Sequence, residues 1–140
     1  MSAGRSVVLC AGLVALLLGA TGCAEAKRGA VSGQVTLDGQ SINDGEIRFI
    51  PLVGIPAWAE IVRGRYAIPS VTGPTCGEMR VEIHWSRKTG KRLPAMPPAP
   101  PGATIEETTE AIPTRYNVQS KLTAKIQPGE NTADFALTTP

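Results

Sequence analysis

The segment Gly77-Glu78-Met79-Arg80-Val81-Glu82-Ile83-His84-Trp85-Ser86-Arg87 decides the fold class, because apolar and polar side chains alternate along it. The apolar positions are Met79, Val81, Ile83 and Trp85, and the polar positions between them are Arg80, Glu82, His84 and Ser86. Successive side chains of a β-strand point to opposite faces of the sheet. The two-residue period therefore predicts a strand with one face against a core and the other in water.

The same period recurs in shorter segments bounded by Gly, Pro, Asn and Asp. These segments are 31–37, 45–50, 59–62, 65–68, 122–126 and 133–137. The chain contains 15 Gly and 12 Pro, a composition typical of many turns, and no helical period follows the first 22 residues. The sequence predicts an all-β fold, a seven-stranded antiparallel β-sandwich with a Greek-key crossover over residues 31–140.

Two of these segments are separated by Arg63-Gly64, a pair suited to a two-residue turn. We expect a hairpin here in which Ile61 lies opposite Tyr66 and Ala59 lies opposite Ile68. That register places all four apolar side chains on one face, as a half-buried hairpin requires.

The alternation stops after the strand over 77–87. A basic turn is followed by the Pro-rich run 94–102 and then by a polar, acidic stretch. Proline runs favour extended geometry without a packed core, so residues 89–111 are predicted to form a long crossover loop. Its basic end carries Arg87, Lys88, Lys91 and Arg92. These side chains form either a solvated loop or a surface for anionic lipid, polysaccharide or an acidic protein.

The N-terminus has the pattern of an export signal. Arg5 precedes an apolar run over residues 7–18, and Ala20-Thr21-Gly22-Cys23 follows. The small residues before Cys23 resemble the bacterial lipobox, which implies a signal peptide over 1–22 and lipidation of the Cys23 thiol. Residues 23–30 would then form a short tether. An ordinary cleaved signal and a short membrane anchor are the alternatives, although the apolar run is shorter than the about 20 residues of a spanning helix.

Longer stretches carry a second resemblance. Residues 31–39 with 45–51 resemble the opening of transthyretin-like, carboxypeptidase-regulatory-like β-sandwich modules. The segments 64–68, 77–83, 88–90, 112–117 and 122–137 resemble small lipoproteins of planctomycete-type bacteria. The resemblance implies a β-sandwich and an exported, membrane-tethered location, and it brings no catalytic residue.

Charge and cysteine content narrow the function further. The formal net charge is only +2, whereas a nucleic-acid-binding face is strongly basic, so we expect no nucleic-acid partner. Of the three cysteines, Cys10 lies in the signal and Cys23 is the predicted lipid site. Cys76 then has no intramolecular partner, and it is either a packed thiol or a reactive one.

His84 is the only histidine, and it shares the outward face of its strand with Glu82. The pair could form half a metal site or an acid–base pair, but a transition-metal site needs three or four ligands. Asp38, Asp44 and Glu46 could gather calcium, although Asp before Gly also suits turns. We expect neither a metal ion nor a cofactor. The chain also lacks a Gly-x-Ser-x-Gly nucleophile motif.

Two aromatic residues have a predicted role outside the core. An outward Trp58 would suit sugar stacking or a partner surface, with core or edge packing as the alternative. Tyr116, between a polar segment and a strand, is placed to tie its hydroxyl to backbone.

These features predict a lipoprotein anchored by Cys23 to the cell membrane or outer membrane, facing the periplasm or the exterior. We expect a non-enzymatic structural or binding module of the envelope. The alternative is an accessory domain that binds polysaccharide or an envelope protein through Trp58 and the Pro-rich segment. A hydrolytic enzyme is the third hypothesis.

Overall fold

The computed structural model describes residues 26–140, which contain eleven strands and one short 3-10 helix. The predicted signal peptide over 1–22 and Cys23 lie outside the described residues. The strands are β1 (Gly29–Leu37), β2 (Gln40–Ser41), β3 (Gly45–Pro51), β4 (Ala57–Ile61), β5 (Arg65–Ile68), β6 (Gly77–His84), β7 (Ser86–Pro94), β8 (Thr104–Glu110), β9 (Leu122–Ile126), β10 (Gly129–Thr132) and β11 (Phe135–Leu137). The prediction of an all-β fold is confirmed. No helix in this part of the chain is long and apolar enough to span a membrane.

Two sheets enclose the core. One is antiparallel, in the order β4-β3-β6-β9. In the other, β1 is central: β10 and β11 follow one another along one edge of it, and β5 and β2 pair with its other edge. Strand β6 is an interior strand of the first sheet, and β1 is the central strand of the second.

The core consists of the inward side chains of both sheets. Its largest fully buried members are Val31, Val35, Ile42, Ile47, Phe49, Ile61, Met79, Val81, Ile83 and Leu137. The rings of Phe49 and Tyr66, which belong to opposite sheets, lie 5.9 Å apart between centroids. Met79, Val81 and Ile83 are buried as their alternation predicts, and Trp85 packs against the core while remaining partly exposed.

Parallel pairing of β1 departs from the expected antiparallel topology. Residues 29–32 pair in parallel with 129–132, and 35–37 pair in parallel with 135–137. An alternating pattern has the same period in parallel and antiparallel strands, so the sequence pattern does not distinguish them. The count of seven strands is also exceeded within residues 26–140, because β2, β7 and β8 were not predicted and the last strand is divided into β10 and β11.

The predicted turn at Arg63-Gly64 forms, but the hairpin does not continue. Val62 and Arg65 exchange backbone hydrogen bonds of 2.9 and 3.0 Å, and both turn residues have positive φ. Beyond this pair the strands separate, since β4 pairs with β3 and β5 pairs with β1. The expected pairing of Ile61 with Tyr66 is therefore wrong, although both side chains face the core as predicted.

The junction between β10 and β11 lies against β1 at Gly33. A Cβ atom on Gly33 would come within 1.9 Å of the Ala133 carbonyl oxygen, so only glycine permits this approach. The Tyr66 hydroxyl donates to that same oxygen at 2.7 Å, and the Asp134 carboxylate accepts the Gln34 backbone N–H at 2.7 Å. Side chains thus complete the hydrogen bonding where the strand ladder is interrupted.

The prediction of a crossover loop over residues 89–111 is wrong for most of that length. The segment instead forms an antiparallel ribbon of β7 and β8. Residues 86–88 pair with 108–110, and 92–94 pair with 104–106, with an irregularity between the two sets. Residues 95–103, which include most of the Pro-rich run, form the tip. Nearly every side chain of the ribbon is exposed, so it lacks the apolar alternation by which the other strands were predicted.

Tyr66→Phe should change how stability depends on pH. Burial, and to a lesser extent the charge of Asp134, raises the pKa of the Tyr66 hydroxyl. In the unfolded chain this group ionises above about pH 10, whereas the folded chain keeps it protonated, so its contribution is full below that pH and is lost as pH rises. Urea unfolding from pH 8 to 11 should show a fall of up to about 1.4 kcal/mol per pH unit that Tyr66→Phe lacks.

At neutral pH the same substitution should cost about 1 kcal/mol through the lost hydrogen bond to Ala133. Tyr116→Phe is the control, because the pKa of the exposed Tyr116 hydroxyl is lowered and its removal should not flatten the alkaline decline. Parallel curves for the wild type and Tyr66→Phe above pH 10 would contradict the prediction.

Candidate binding cleft

A cleft of about 470 Å³ lies on the outer face of the sheet formed by β4, β3 and β6, next to the base of the β7–β8 ribbon. Its lining residues are Asp44, Gly45, Glu46, Arg48, Trp58, Glu60, His84, Ser86 and Glu110. Most are the outward-facing partners of core residues on the same strands. We call this surface the Trp58 cleft.

Sheet register explains why these side chains meet. Glu46 on β3 lies opposite Glu60 on β4 and opposite His84 on β6, so three polar side chains share one row. In the next outward row Arg48 lies between Trp58 and Glu82. Directly opposed side chains on one face of a sheet lie close enough to interact. Glu46 and Arg48 also form an ion pair along their strand.

Trp58 projects into solvent, with 64% of the residue exposed. An interaction role requires an exposed indole, whereas a tryptophan packed against the core would be covered. The indole offers a flat apolar face, and charged groups line the cleft beside it. That combination suits ligands with both an apolar face and hydroxyl groups, which sugars have.

His84 lies between two carboxylates. Its Nδ1 is 3.2 Å from Glu110 Oε2, and its Nε2 is 3.7 Å from Glu82 Oε2. Glu110 is itself held in place, because its Oε1 accepts the backbone N–H groups of Trp85 at 2.9 Å and Ile112 at 3.0 Å. Glu82 is buried and pairs with Arg80. The predicted proximity of Glu82 and His84 is confirmed, whereas Glu110 was not predicted as a third member.

This arrangement leaves His84 poorly suited to proton transfer with a substrate. A general acid or base must place a ring nitrogen within hydrogen-bond reach of the reacting group. Nδ1 faces Glu110, and Nε2 is enclosed without a hydrogen-bond partner. Its contacts with Glu82 on β6 and with Glu110 at the end of β8 instead make the imidazole a link between these two strands.

The three carboxylates considered for calcium are separately engaged. Asp38 accepts hydrogen bonds of 2.9 Å from both the backbone N–H and the hydroxyl of Thr139, which fastens the last residues to the end of β1. Glu46 pairs with Arg48, and Asp44 occupies a turn with positive φ. Within residues 26–140 no group of three or more His, Cys, Asp or Glu side chains is arranged to hold a metal ion.

The four basic residues lie on β7 and are not among those lining the Trp58 cleft. Arg87 stacks over the Trp85 ring at 5.0 Å, Lys88 pairs with Glu106 at 3.0 Å, and Lys91 lies 3.9 Å from Glu107. Arg92 is opposite Glu106 in the ribbon register. The acidic strand therefore compensates much of this positive charge.

Two further residues are placed as follows. The Tyr116 hydroxyl accepts the Thr138 backbone N–H at 3.4 Å, so the predicted tie from this hydroxyl to backbone is confirmed. Hydrogen bonds to Thr138 and Arg115 lower the pKa of Tyr116. Cys76 is half-buried, and its backbone N–H donates to the Lys27 carbonyl oxygen at 2.8 Å.

Comparison with family models, curated proteins and solved structures finds no match to this chain.

Glu110→Ala should lower the free energy of unfolding by about 1–3 kcal/mol, because two backbone N–H groups and His84 would lose their acceptor. Glu106→Ala is the matched control on the same strand. Its exposed pair with Lys88 should contribute no more than about 1 kcal/mol. Urea unfolding measures both changes, and amide hydrogen exchange at Trp85 and Ile112 should accelerate only in Glu110→Ala.

Glu110→Gln should lie between the wild type and Glu110→Ala, since an amide oxygen can still accept the two backbone N–H groups. Equal stabilities for Glu110→Ala and Glu106→Ala would show that Glu110 does not join the ribbon to the sheet.

Proposed function

We propose that this protein is an exported lipoprotein, attached to a membrane through an acyl group on Cys23, and that its β-sandwich is a non-enzymatic binding module of the cell envelope. The observation that carries the attachment is the sequence around Ala20-Thr21-Gly22-Cys23, with its preceding apolar run. The resemblance of the mature chain to transthyretin-like modules of bacterial lipoproteins is part of the same proposal. Attachment holds the module at the membrane surface, where its cleft faces envelope polymers and proteins.

The exposed face of Trp58 supports carbohydrate as the ligand class. A sugar ring can lie against the indole while its hydroxyl groups bond to Glu46, Glu60 or Arg48 in the same cleft. An envelope protein is the alternative ligand, because exposed tryptophan and arginine also concentrate binding energy at protein interfaces. Four carboxylates (Asp44, Glu46, Glu60 and Glu110) line the cleft against a single arginine, Arg48, so the cleft disfavours an anionic ligand.

The proposal of a non-enzymatic role rests on the surroundings of His84. Its two nitrogens face protein carboxylates, and the enclosed Nε2 cannot reach a substrate in this conformation. Hydrolysis by a serine–histidine pair would require that nitrogen to take the proton of the nucleophile.

The attachment is tested by mass spectrometry of the protein purified from bacterial membranes. The mature chain should begin at Cys23 and carry the mass of a diacylglyceryl group. Cys23→Ser should abolish this mass and the cleavage before residue 23, because serine lacks the thiol that is modified. Cys76→Ser is the control and should leave processing unchanged. A mature N-terminus without acyl mass would overturn the anchor.

Binding is tested on a glycan array and with polysaccharide from the envelope. Trp58→Ala should raise the dissociation constant roughly tenfold or more. Trp58→Tyr retains an aromatic face and should lose less affinity. Val62→Ala, which truncates another exposed side chain near β4, is the control. Deletion of residues 94–102 removes most of the ribbon tip and leaves the cleft residues in place, so the binding of this variant shows whether the tip contributes. Unchanged binding in Trp58→Ala would exclude the cleft.

A further inference from the structure

One end of the β-sandwich is defined by the point where the chain enters it. The Lys27 carbonyl oxygen accepts the backbone N–H of Cys76, and Arg28 forms a bridge with Thr75. Residues 75 and 76 directly precede β6, so Lys27 and Arg28 lie beside the start of that strand. The start of β1, at Gly29, is at the same end, because its N–H donates to the Pro74 carbonyl oxygen at 3.1 Å. We call this end of the fold, with its loops, the tether end.

The loop between β3 and β4 belongs to the tether end. Pro51 at the end of β3 pairs with Met79 near the start of β6, so the 51–56 loop extends past the start of β6. The loop sequence is Pro51-Leu52-Val53-Gly54-Ile55-Pro56, which contains no polar side chain. Leu52, Val53 and Ile55 are 98%, 86% and 80% exposed.

A second loop adds another aliphatic side chain at this end. Residues 69–76 connect β5 to β6, and the Arg28 guanidinium donates to the Gly73 carbonyl oxygen at 3.0 Å. Val71, at the tip of this loop, is 84% exposed. Among the described residues, most other exposed aliphatic side chains occur singly, as Val62, Ile105 and Val118 do. Single exposed aliphatics are ordinary on a protein surface, whereas three within four residues are not.

We propose that the tether end is a membrane-docking surface, in which Leu52, Val53, Ile55 and Val71 enter the interfacial region of a bilayer that contains anionic lipid. The inference rests on the proposed acylation of Cys23 for the orientation of the domain. It adds that the folded domain itself, and not only the acyl group, contacts the membrane.

Chain length supports a bilayer as the occupant of this surface. Cys23 precedes Lys27 by four residues, which span at most roughly 14 Å when fully extended. An acyl group on Cys23 would therefore hold the start of β1 and β6 within about that distance of the membrane. The end of the domain that must lie nearest the lipid is the end that carries the exposed aliphatic loops.

Charge supports anionic lipid in particular. Lys27 and Arg28 are both exposed at the tether end, and basic side chains near a membrane are attracted to anionic headgroups. Two acidic residues, Glu78 and Glu130, lie nearby, but a third basic residue, Lys125, is directly opposite Glu78. Among the described residues at this end, the basic side chains therefore outnumber these acidic ones. Aliphatic side chains beside basic ones form the combination that binds at a lipid–water interface.

The test measures membrane depth at two positions of the mature protein, purified from bacterial membranes and placed in vesicles of phosphatidylethanolamine and phosphatidylglycerol. Val53→Cys and, separately, Val118→Cys carry an environment-sensitive fluorophore in a Cys76→Ala background. Val118 follows the 3-10 helix (Thr114–Tyr116), whose Tyr116 contacts Thr138 at the opposite end of the fold. Lipids brominated on their acyl chains should quench the label at 53 and leave the label at 118 unquenched.

Variants of the Val53-labelled chain distinguish docking from mere proximity. Leu52→Ser with Ile55→Ser should lower the ratio of docked to undocked domains at least about tenfold, because both apolar side chains are lost. Lys27→Gln with Arg28→Gln should weaken docking only in vesicles that contain phosphatidylglycerol. Equal quenching at 53 and 118 would overturn the proposal. So would shielding of the label at 53 by increasing protein concentration without lipid, which would assign this end to a second copy.

The same preparation separates this proposal from that of the anchor. Mass spectrometry of each sample reports whether Cys23 is acylated. If it is not, Cys10 and Cys23 are also replaced by serine so that only residue 53 carries the label. Quenching at 53 after simple mixing with the vesicles would then support docking by the domain alone, and absence of quenching would overturn it.

Discussion

The pairing of β1 with strands from both ends of the chain is the constraint on which the rest of the structure depends. β1 hydrogen-bonds to β5 and β2 on one edge and to β10 and β11 on the other, so no other sheet strand of the described chain joins segments so far apart. The close approach at Gly33 permits this arrangement, and Tyr66 and Asp134 complete its hydrogen bonds. Because β10 and β11 run parallel to β1, the chain enters at one end of the sandwich and leaves at the other.

The outer face of the β4-β3-β6-β9 sheet depends on that arrangement indirectly. With the inward side chains of β3, β4 and β6 committed to the core, their outward side chains form the rows that line the Trp58 cleft. Glu110 then connects this face to the ribbon by accepting two backbone N–H groups and contacting His84. An isolated two-stranded ribbon is at best marginally stable in water, so such attachment at its base matters for its order.

The alternation of residues 77–87 identified the buried face of β6 correctly, and the turn at Arg63-Gly64 was also predicted correctly. The ribbon was not predicted, because its strands carry polar side chains on both faces and have no apolar period to detect. The cleft was predicted in part: the outward side of β6 follows from its period. The approach of Glu110 to His84 involves residues 26 positions apart, and no local pattern specifies it.

The sequence by itself determined which side chains face the core and where several turns occur, and it predicts an export-type segment ending at Cys23. These features depend on local periodicity, backbone preferences and a short motif, all of which are properties of neighbouring residues. Only the tertiary structure decided that β1 lies in parallel with the last strands, that β4 and β5 separate into different sheets, and that the aliphatic 51–56 loop shares an end with Lys27. A period of two specifies the face of a strand and leaves its neighbours open, because the choice of neighbour depends on how distant segments pack together.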